Sequence, residues 1–492
     1  MGQGRWLCID QGGQSSRAAV FDDEGRLVTL GRASVETRRA GPDRVEHSPK
    51  AMADSVAAAI AQALERLPDR GRSLSAAGLA TQRSTLVCID RKSGAALSPI
   101  MSWQDRRGAA ELEAAAGGSA ARIREVTGLR LSPHYGVGKL RWCLAHIDDV
   151  AAAAAERRLV AAPLAAFLLQ RLGVGNGAWQ VDHVNASRML LMDVQALDWS
   201  QELLELFGVD AGMLPLLVPC RFAYGNLRAG DVEVPLAVCT GDQPAALFGA
   251  GPPRPGTVLV NIGTGAFIQC ATGDVPLSVP DLLTSVGGTD GTSRLYVLEG
   301  TVNGAASAVA AALEELGLAA PSGPALDAAF ADIERAPLFL NGVSGLGSPD
   351  WAPDFESRYV GEGAPLARLA AVYESIVFLI VRNLDVMRRT VPLERIVLTG
   401  GLARVDFVAR RLAALSGVAV RRPESGEATL HGLAAWLRGG VPAEEPASAT
   451  AFEAEADGVA RSRYAAWTAA LEAALGDRVD SGSSGRRERS EP

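Results

Sequence analysis

The sequence predicts an α/β protein made of two duplicated domains that face each other across a central cleft. Three observations predict it. With 492 residues, the chain exceeds the size at which one hydrophobic core keeps growing, so two or more domains are expected. A pattern of strand, glycine turn and strand, RWLCID, QGGQSS and RAAVFD, occupies 5–22 and returns at 257–271 as TVLVNI, GTG and FIQCA. Between the two blocks, GAGPPRPG concentrates Gly and Pro near residue 250, where a linker belongs. These place a first domain at 1–250 and a second at 251–475. A tail at 476–492, rich in Ser, Gly and Arg, is expected to be disordered.

In chain order, the runs at 5–10 and 17–22 and a third from Leu27, entered through the turn DEGR, read as an antiparallel meander. Ser48 is a candidate N-cap with Pro49 in the first turn, opening an Ala-rich helix to about Leu67. Strands are expected near 77–80 and 86–90. The run AAAAAE at 151–156 reads as a helical surface. In the second block, 371–388 places Ile376, Leu379, Ile380, Leu384 and Met387 on one helix face. The buried-strand signal RIVLTGG follows at 395–401, and VDFVARRLAAL after it is again helical.

Composition narrows the function. Hydrophobic residues make up 48% and charged residues 21%, an ordinary balance for a packed globular protein. A formal charge of -8 argues against nucleic acid or an acidic membrane as partner, since either needs a concentrated basic surface. The pair Arg38 and Arg39 reads as solvated surface. Six scattered cysteines, at 8, 88, 143, 220, 239 and 270, have no CxxC spacing and no zinc-like His partners. They read as small buried hydrophobes in a reducing compartment. No signal-peptide run opens the chain, and the longest apolar tract, 376–381, is too short to span a bilayer. A cytoplasmic enzyme is expected.

In DQGGQSSR at 10–17 a strand ends in an acid, two glycines permit close backbone approach, and hydroxyl and Arg donors follow. That suits a phosphate cradle with an acid beside it. An ordinary Gly-rich hairpin explains the segment equally well, and GTG at 263–265 is as weak alone. Their pairing raises both, because duplicated domains would bring one such turn to each side of a cleft.

The ordered motifs DQGGQSSRAAVFD (10–22), VEHSP (45–49), TQRSTLVCID (81–90), SWQDRR (102–107), NASRMLLMD (185–193), GDQPAALFG (241–249), NIGTGAF (261–267), GLGSPDW (345–351) and VLTGGLARVDF (397–407) together resemble the FGGY carbohydrate kinases. That family lies within the actin-like ATPase superfamily, and its glycerol kinases are the most similar branch. The resemblance runs nearly end to end. It implies two actin-like, ribonuclease H-like ATPase domains that use ATP and Mg2+ to phosphorylate a hydroxyl of a small polyol or sugar. Family members are often dimers or tetramers, so a homo-oligomer is compatible with it.

The resemblance also implies roles. Asp242 in GDQ corresponds to the general base near the magnesium, although GDxP is also good N-cap sequence. Asp10 corresponds to the acid that holds Mg2+ through water. Gly12, Gly13, Gln14, Ser15 and Arg17 fall on the first phosphate motif. Gly263, Thr264 and Gly265 fall on the loop meeting the nucleotide phosphates from the second domain. Gly400 and Gly401 fall on the turn against the adenosine, where a strand-to-helix turn would also select Gly. Arg83, Trp103, Gln243 and Phe267 fall on the polyol pocket, an aromatic wall with amide and Arg donors. A lone Trp is more often core, but its place in SWQD favours the pocket.

Departures from the family pattern bear on the substrate. Ser84 stands where glycerol kinases carry Glu, and His134, followed by Tyr135, where they carry a pocket Tyr. Gly13 and Gln14 replace two Thr. Glycerol or a related short polyol is the first substrate class, and a ketose is the second, for which Ser84 leaves room. A sugar-binding regulatory pseudokinase that kept the fold is the alternative; Asp10, Asp242 and Gln243 speak against it. An actin-like or chaperone ATPase would leave Arg83, Trp103 and GDQ unexplained.

Overall fold

The computed structural model describes residues 4–173, 177–319, 323–424, 426–439 and 449–484. Two mixed sheets organise it. The first runs, in spatial order, Arg221–Ala229, Val232–Gly241, Leu74–Thr81, Arg5–Gln11, Ser15–Phe21 and Leu27–Ser34. Arg5–Gln11 pairs antiparallel with Ser15–Phe21, which pairs antiparallel with Leu27–Ser34, so the meander forms. On its other side Arg5–Gln11 runs parallel to Leu74–Thr81, which runs parallel to Val232–Gly241.

The second sheet repeats the plan. Thr257–Ile262 pairs antiparallel with Ala266–Gly273 and parallel with Arg395–Thr399, which is followed in parallel by Val420–Pro423. Arg294–Val302 and Leu283–Thr289 extend one edge and Ala449–Phe452 closes the other. The helix Pro365–Met387 covers this sheet, its whole middle buried. A mean strand buried on both faces must be nearly continuous in apolar residues, which is what RWLCID and TVLVNI supply.

Local signals act as the sequence suggests. The Ser48 side chain accepts the Ala51 N–H at 3.3 Å, and Pro49 opens the helix Pro49–Glu65. The run at 151–156 lies in the helix Asp148–Ala155 and its end, with Val150 and Ala153 buried beneath it. All six cysteines are free and buried. Among the described residues no helix is long and apolar enough to cross a membrane. The helix Gly458–Ser484 continues into the segment expected to be a disordered tail, and 485–492 lie outside the described residues.

Two features lie outside the simple duplicate. A five-stranded sheet of Arg38–Gly41, Arg44–His47, Ile100–Met101, Leu86–Asp90 and Leu159–Pro163 builds a side layer with its own core, including Leu86, Met101, Leu140 and Phe207. The helix Ala428–Leu437, late in the second half, packs on the first half: Leu430, Leu433, Ala434 and Leu437 belong to the core of the first sheet. Its approach is backbone-close, since a Cβ on Gly432 would lie 1.8 Å from the Ala245 carbonyl oxygen. Trp436 stacks on Phe248 with centroids 4.4 Å apart.

Candidate active site

Three parallel strands lie side by side in register, Gln11 opposite Thr81 and Thr81 opposite Gly241. Their carboxyl ends therefore deliver Asp10, Arg83 and Asp242 to one edge of the sheet, the place where open α/β sheets bind ligands. The second sheet does the same with Ile262, which leads into Gly263–Gly265, and Thr399, which leads into Gly400 and Gly401.

Asp10 is buried, and Arg17 from the returning strand donates to its carboxylate while also donating to Glu427 of the second half. Burial nevertheless pushes the Asp10 carboxyl up to about 6; Arg17 opposes this and Asp242 adds to it. Burial likewise raises Asp242, against the pull of Arg83. Asp242 opens the helix Asp242–Leu247, but Gly241 is its N-cap; the Asp242 carboxylate instead accepts the Gln243 N–H at 2.8 Å. Asp242 is therefore not the N-cap residue, although its carboxylate satisfies one free N–H of the first turn. Two buried acids that are both raised despite neighbouring arginines suit a hard cation that keeps its waters and takes one or two carboxylates. Among the described residues no cluster of three or more His, Cys, Asp or Glu forms a metal cage.

The first glycine turn has its three carbonyls engaged: Gly12 by the Gln11 side chain at 2.6 Å, Gly13 by Thr37 Oγ1 at 3.0 Å and Gln14 by the Val35 N–H at 2.9 Å. The Gly12 N–H is taken as well, by the Ser15 carbonyl oxygen at 3.1 Å, so the N–H groups of Gly13 and Gln14 are what the turn has left to offer an anion. Gln14 is exposed and Ser15 half-buried. In the second turn the carbonyls of Gly263 and Thr264 accept the N–H groups of Ala305, Ala306 and Ser307, the start of the helix Ala306–Glu315. Thr264 is exposed.

Gly400 and Gly401 differ. Gly400 has φ 94, and a Cβ there would meet the Ile262 carbonyl oxygen at 2.4 Å, so packing alone requires glycine. A Cβ on Gly401 meets nothing within 4 Å. The protein does not fill that space.

On the acceptor side, Arg83 donates from Nη1 to Glu299 at 2.8 Å and from Nη2 to Gln243 Oε1 at 2.7 Å. Glu299 also receives Arg188 and, at 2.8 Å, Gln269 Nε2. Despite burial, the two guanidinium groups hold the Glu299 carboxyl far below the usual range. Trp103 is 39% exposed, so it is not a core residue, and it meets Phe267 edge to face at 6.4 Å. The two rings come from opposite halves. His134 is half-buried and pulled down to about 4 by burial, with Lys139 and Arg106 adding to the shift. Tyr135 is buried against Arg188. Ser84 has φ 57, a left-handed backbone unusual for serine.

The structure thus gathers Asp10, Arg17, Arg83, Asp242 and Gln243 directly, with Trp103 and Phe267 alongside. Sequence reasoning missed Glu299, Arg188, Lys139 and Glu427. A signal existed for Glu299: it is the one carboxylate in the mostly apolar strand RLYVLEGTV, where it must be buried and paired. Arg188 sat unassigned in NASR, and Glu427 has no local signal.

Family models match both halves of the chain. The model of the FGGY family of carbohydrate kinases, N-terminal domain, matches residues 5–249, and that of its C-terminal domain matches 258–437. Glycerol kinase of Leptothrix cholodnii is 34% identical over 450 residues, 88% of this chain and 90% of that one. Glycerol kinase of Geobacter sp. is 34% identical over 446 residues, 88% and 89% of the two chains. Among solved structures, Plasmodium falciparum glycerol kinase with ADP superposes with a TM-score of 0.88 at 22% identity, covering 96% of this chain and 98% of its own. Xylulose kinase from Rhodospirillum rubrum gives 0.84 at 18%, covering 96% and 99%. These likenesses show the fold.

Proposed function

The chain belongs to the FGGY family of carbohydrate kinases, and on that premise we propose that it transfers the γ-phosphoryl group of ATP to a hydroxyl of glycerol or a related short polyol. The observation that carries the reading is the convergence of Asp10, Arg83 and Asp242 at the carboxyl ends of three adjacent parallel strands.

Each residue has a definite task. Arg83, Gln243 and the Trp103–Phe267 pair orient the acceptor, with polar groups on its hydroxyls and rings on its carbon chain. Asp242 takes the proton of the attacking hydroxyl. That oxygen bonds to the γ-phosphorus as the bond to the bridging oxygen breaks and ADP leaves. The raised Asp242 carboxyl makes it a better base than an exposed aspartate. Asp10 and Asp242 are the residues that would hold Mg2+, which when bound neutralises charge on the phosphates. Arg17 and the N–H groups of the first turn address the phosphates from one side, Thr264 from the other, and Gly401 leaves room for the flat base.

The test is ADP release from magnesium ATP against a panel of polyols, ketoses and sugar acids, with Asp242→Asn alongside. One compound should give turnover, which the variant loses by about 10^3-fold or more. Nucleotide binding without acceptor-dependent ADP from any compound would overturn the proposal and favour a sugar-binding regulator.

A further inference from the structure

Lys139 is fully buried, yet among the described residues it makes no ion pair. It sits in the first turns of the helix Gly136–His146. Its Nζ donates to the backbone carbonyl of Ser84 at 2.5 Å and to that of His134 at 2.6 Å. Asp105, the acid that acts on it electrostatically, has its oxygens taken by the Val45 N–H and by Arg107. Burial draws the Lys139 ammonium down to about 7. Lysine is almost never fully buried unless paired, and an apolar residue would fill the space at no desolvation cost. What the ammonium does that an apolar residue cannot is hold two carbonyls together.

Those carbonyls belong to two of the three loops where this chain departs from the glycerol kinase pattern. Ser84 follows Arg83 directly and keeps a left-handed backbone, φ 57, that costs a non-glycine residue about 1 kcal/mol or more and persists only where its surroundings impose it. His134 precedes Tyr135, which packs on Arg188 and so on the Arg83–Glu299 cluster. The lysine itself has a rigid base: a Cβ on Gly108 would lie 2.1 Å from the Gly138 carbonyl oxygen, so its helix is pressed against the segment that follows SWQDRR.

We propose that Lys139 is a positioning residue for the acceptor: by tying the Ser84 carbonyl to the His134 carbonyl it fixes the loop that aims Arg83 and sets the width of the acceptor pocket. This rests on the kinase reading above. Lys139 is fully buried and both of its partners lie in loops beside Arg83 and Tyr135, so its effect belongs to acceptor recognition and not to nucleotide binding.

Lys139→Met removes the clamp and keeps the bulk. The acceptor KM should rise by about tenfold or more, while the KM for ATP and the affinity for ADP stay within about twofold. Hydrogen exchange should rise together in peptides covering 83–86 and 132–136 and stay unchanged across the 10–17 hairpin. Equal changes in both KM values, or unaltered exchange in the two loops, would overturn the clamp. The exchange result decides the question even if the wild type shows no acceptor-dependent ADP release, an outcome that would sink the kinase reading by itself. Should the Met variant fail to fold, Lys139→Arg, which keeps the charge but not the compact ammonium, is judged on the same split: a selective rise in acceptor KM supports the clamp, and no selective rise overturns it.

Discussion

The two glycine turns occupy matching places in matching sheets, yet they are built for different work. The first, between Gln11 and Ser15, is flanked by charge: Asp10 and Arg17 pair with each other, and Arg17 reaches across to Glu427. The second, between Ile262 and Ala266, carries no charge in the turn and spends its carbonyls on the first N–H groups of the helix Ala306–Glu315. Their glycines differ as well. A Cβ on Gly13 would have nothing nearer than 4.0 Å, whereas one on Gly265 would lie 2.6 Å from the Val302 carbonyl oxygen and 2.9 Å from that of Asn303. Duplication thus preserved a shape, while the surroundings of these two glycines diverged: open space at Gly13, a crowded backbone at Gly265.

The strongest way to break this contrast is Asp10→Asn. If the first turn is the charged one, kcat should fall by about 10^2 to 10^3-fold, with no counterpart of that size from any substitution in the second turn. The same variant has a stability signature. Because the folded-state carboxyl is raised to about 6 from 3.8, the native chain binds more protons than the unfolded chain between those values. The contribution of Asp10 to stability is therefore fully present below about pH 4 and lost as pH rises through 6. Thermal unfolding of Asp10→Asn, measured against the wild type, should shift upward on going from pH 4 to pH 8, by an amount on the order of 3 kcal/mol at most. A shift in the opposite direction would mean that Arg17 dominates the site.

A smaller effect is expected from Gly265→Ala, which must push the second turn away from two carbonyls. It should cost about 1 to 3 kcal/mol in denaturant unfolding and raise the KM for ATP. The smallest comes from Gly13→Thr, which restores the residue type common in the family at a position with room for it. Stability should stay within about 0.5 kcal/mol and the KM for ATP should fall a few-fold. If Gly13→Thr destabilises as much as Gly265→Ala, the two turns are alike after all.

What was legible in the sequence was what neighbouring residues decide among themselves. The meander, the Ser48 cap, the helix over Ile376 to Met387 and the repeated strand, turn and strand pattern each rest on contacts a few residues apart, where periodicity and turn chemistry carry the information. Asp10 could be singled out because an apolar strand ends in an acid there, and Asp242 because GDQ resembles a motif of the family. The acceptor side could not be read in full, because its charge cluster joins Arg83, Arg188 and Glu299 from three separate segments, and pairing over such distances leaves no local trace. The Lys139 contacts illustrate the same limit: both partners are carbonyls, which every residue possesses.

The helix Ala428–Leu437 bears on how this protein can be taken apart. A gene cut at the Gly and Pro junction near residue 250 would separate two fragments whose chain termini look natural. The first fragment would lack Leu430, Leu433 and Leu437, which complete its core, and would expose the backbone of Ala245 that Gly432 covers. Ala245 lies three residues after Asp242, on the same helix. A half-protein would therefore lose the support under Asp242 before it lost any residue proposed to meet substrate, and the two halves are better regarded as lobes of one folding unit than as separable modules.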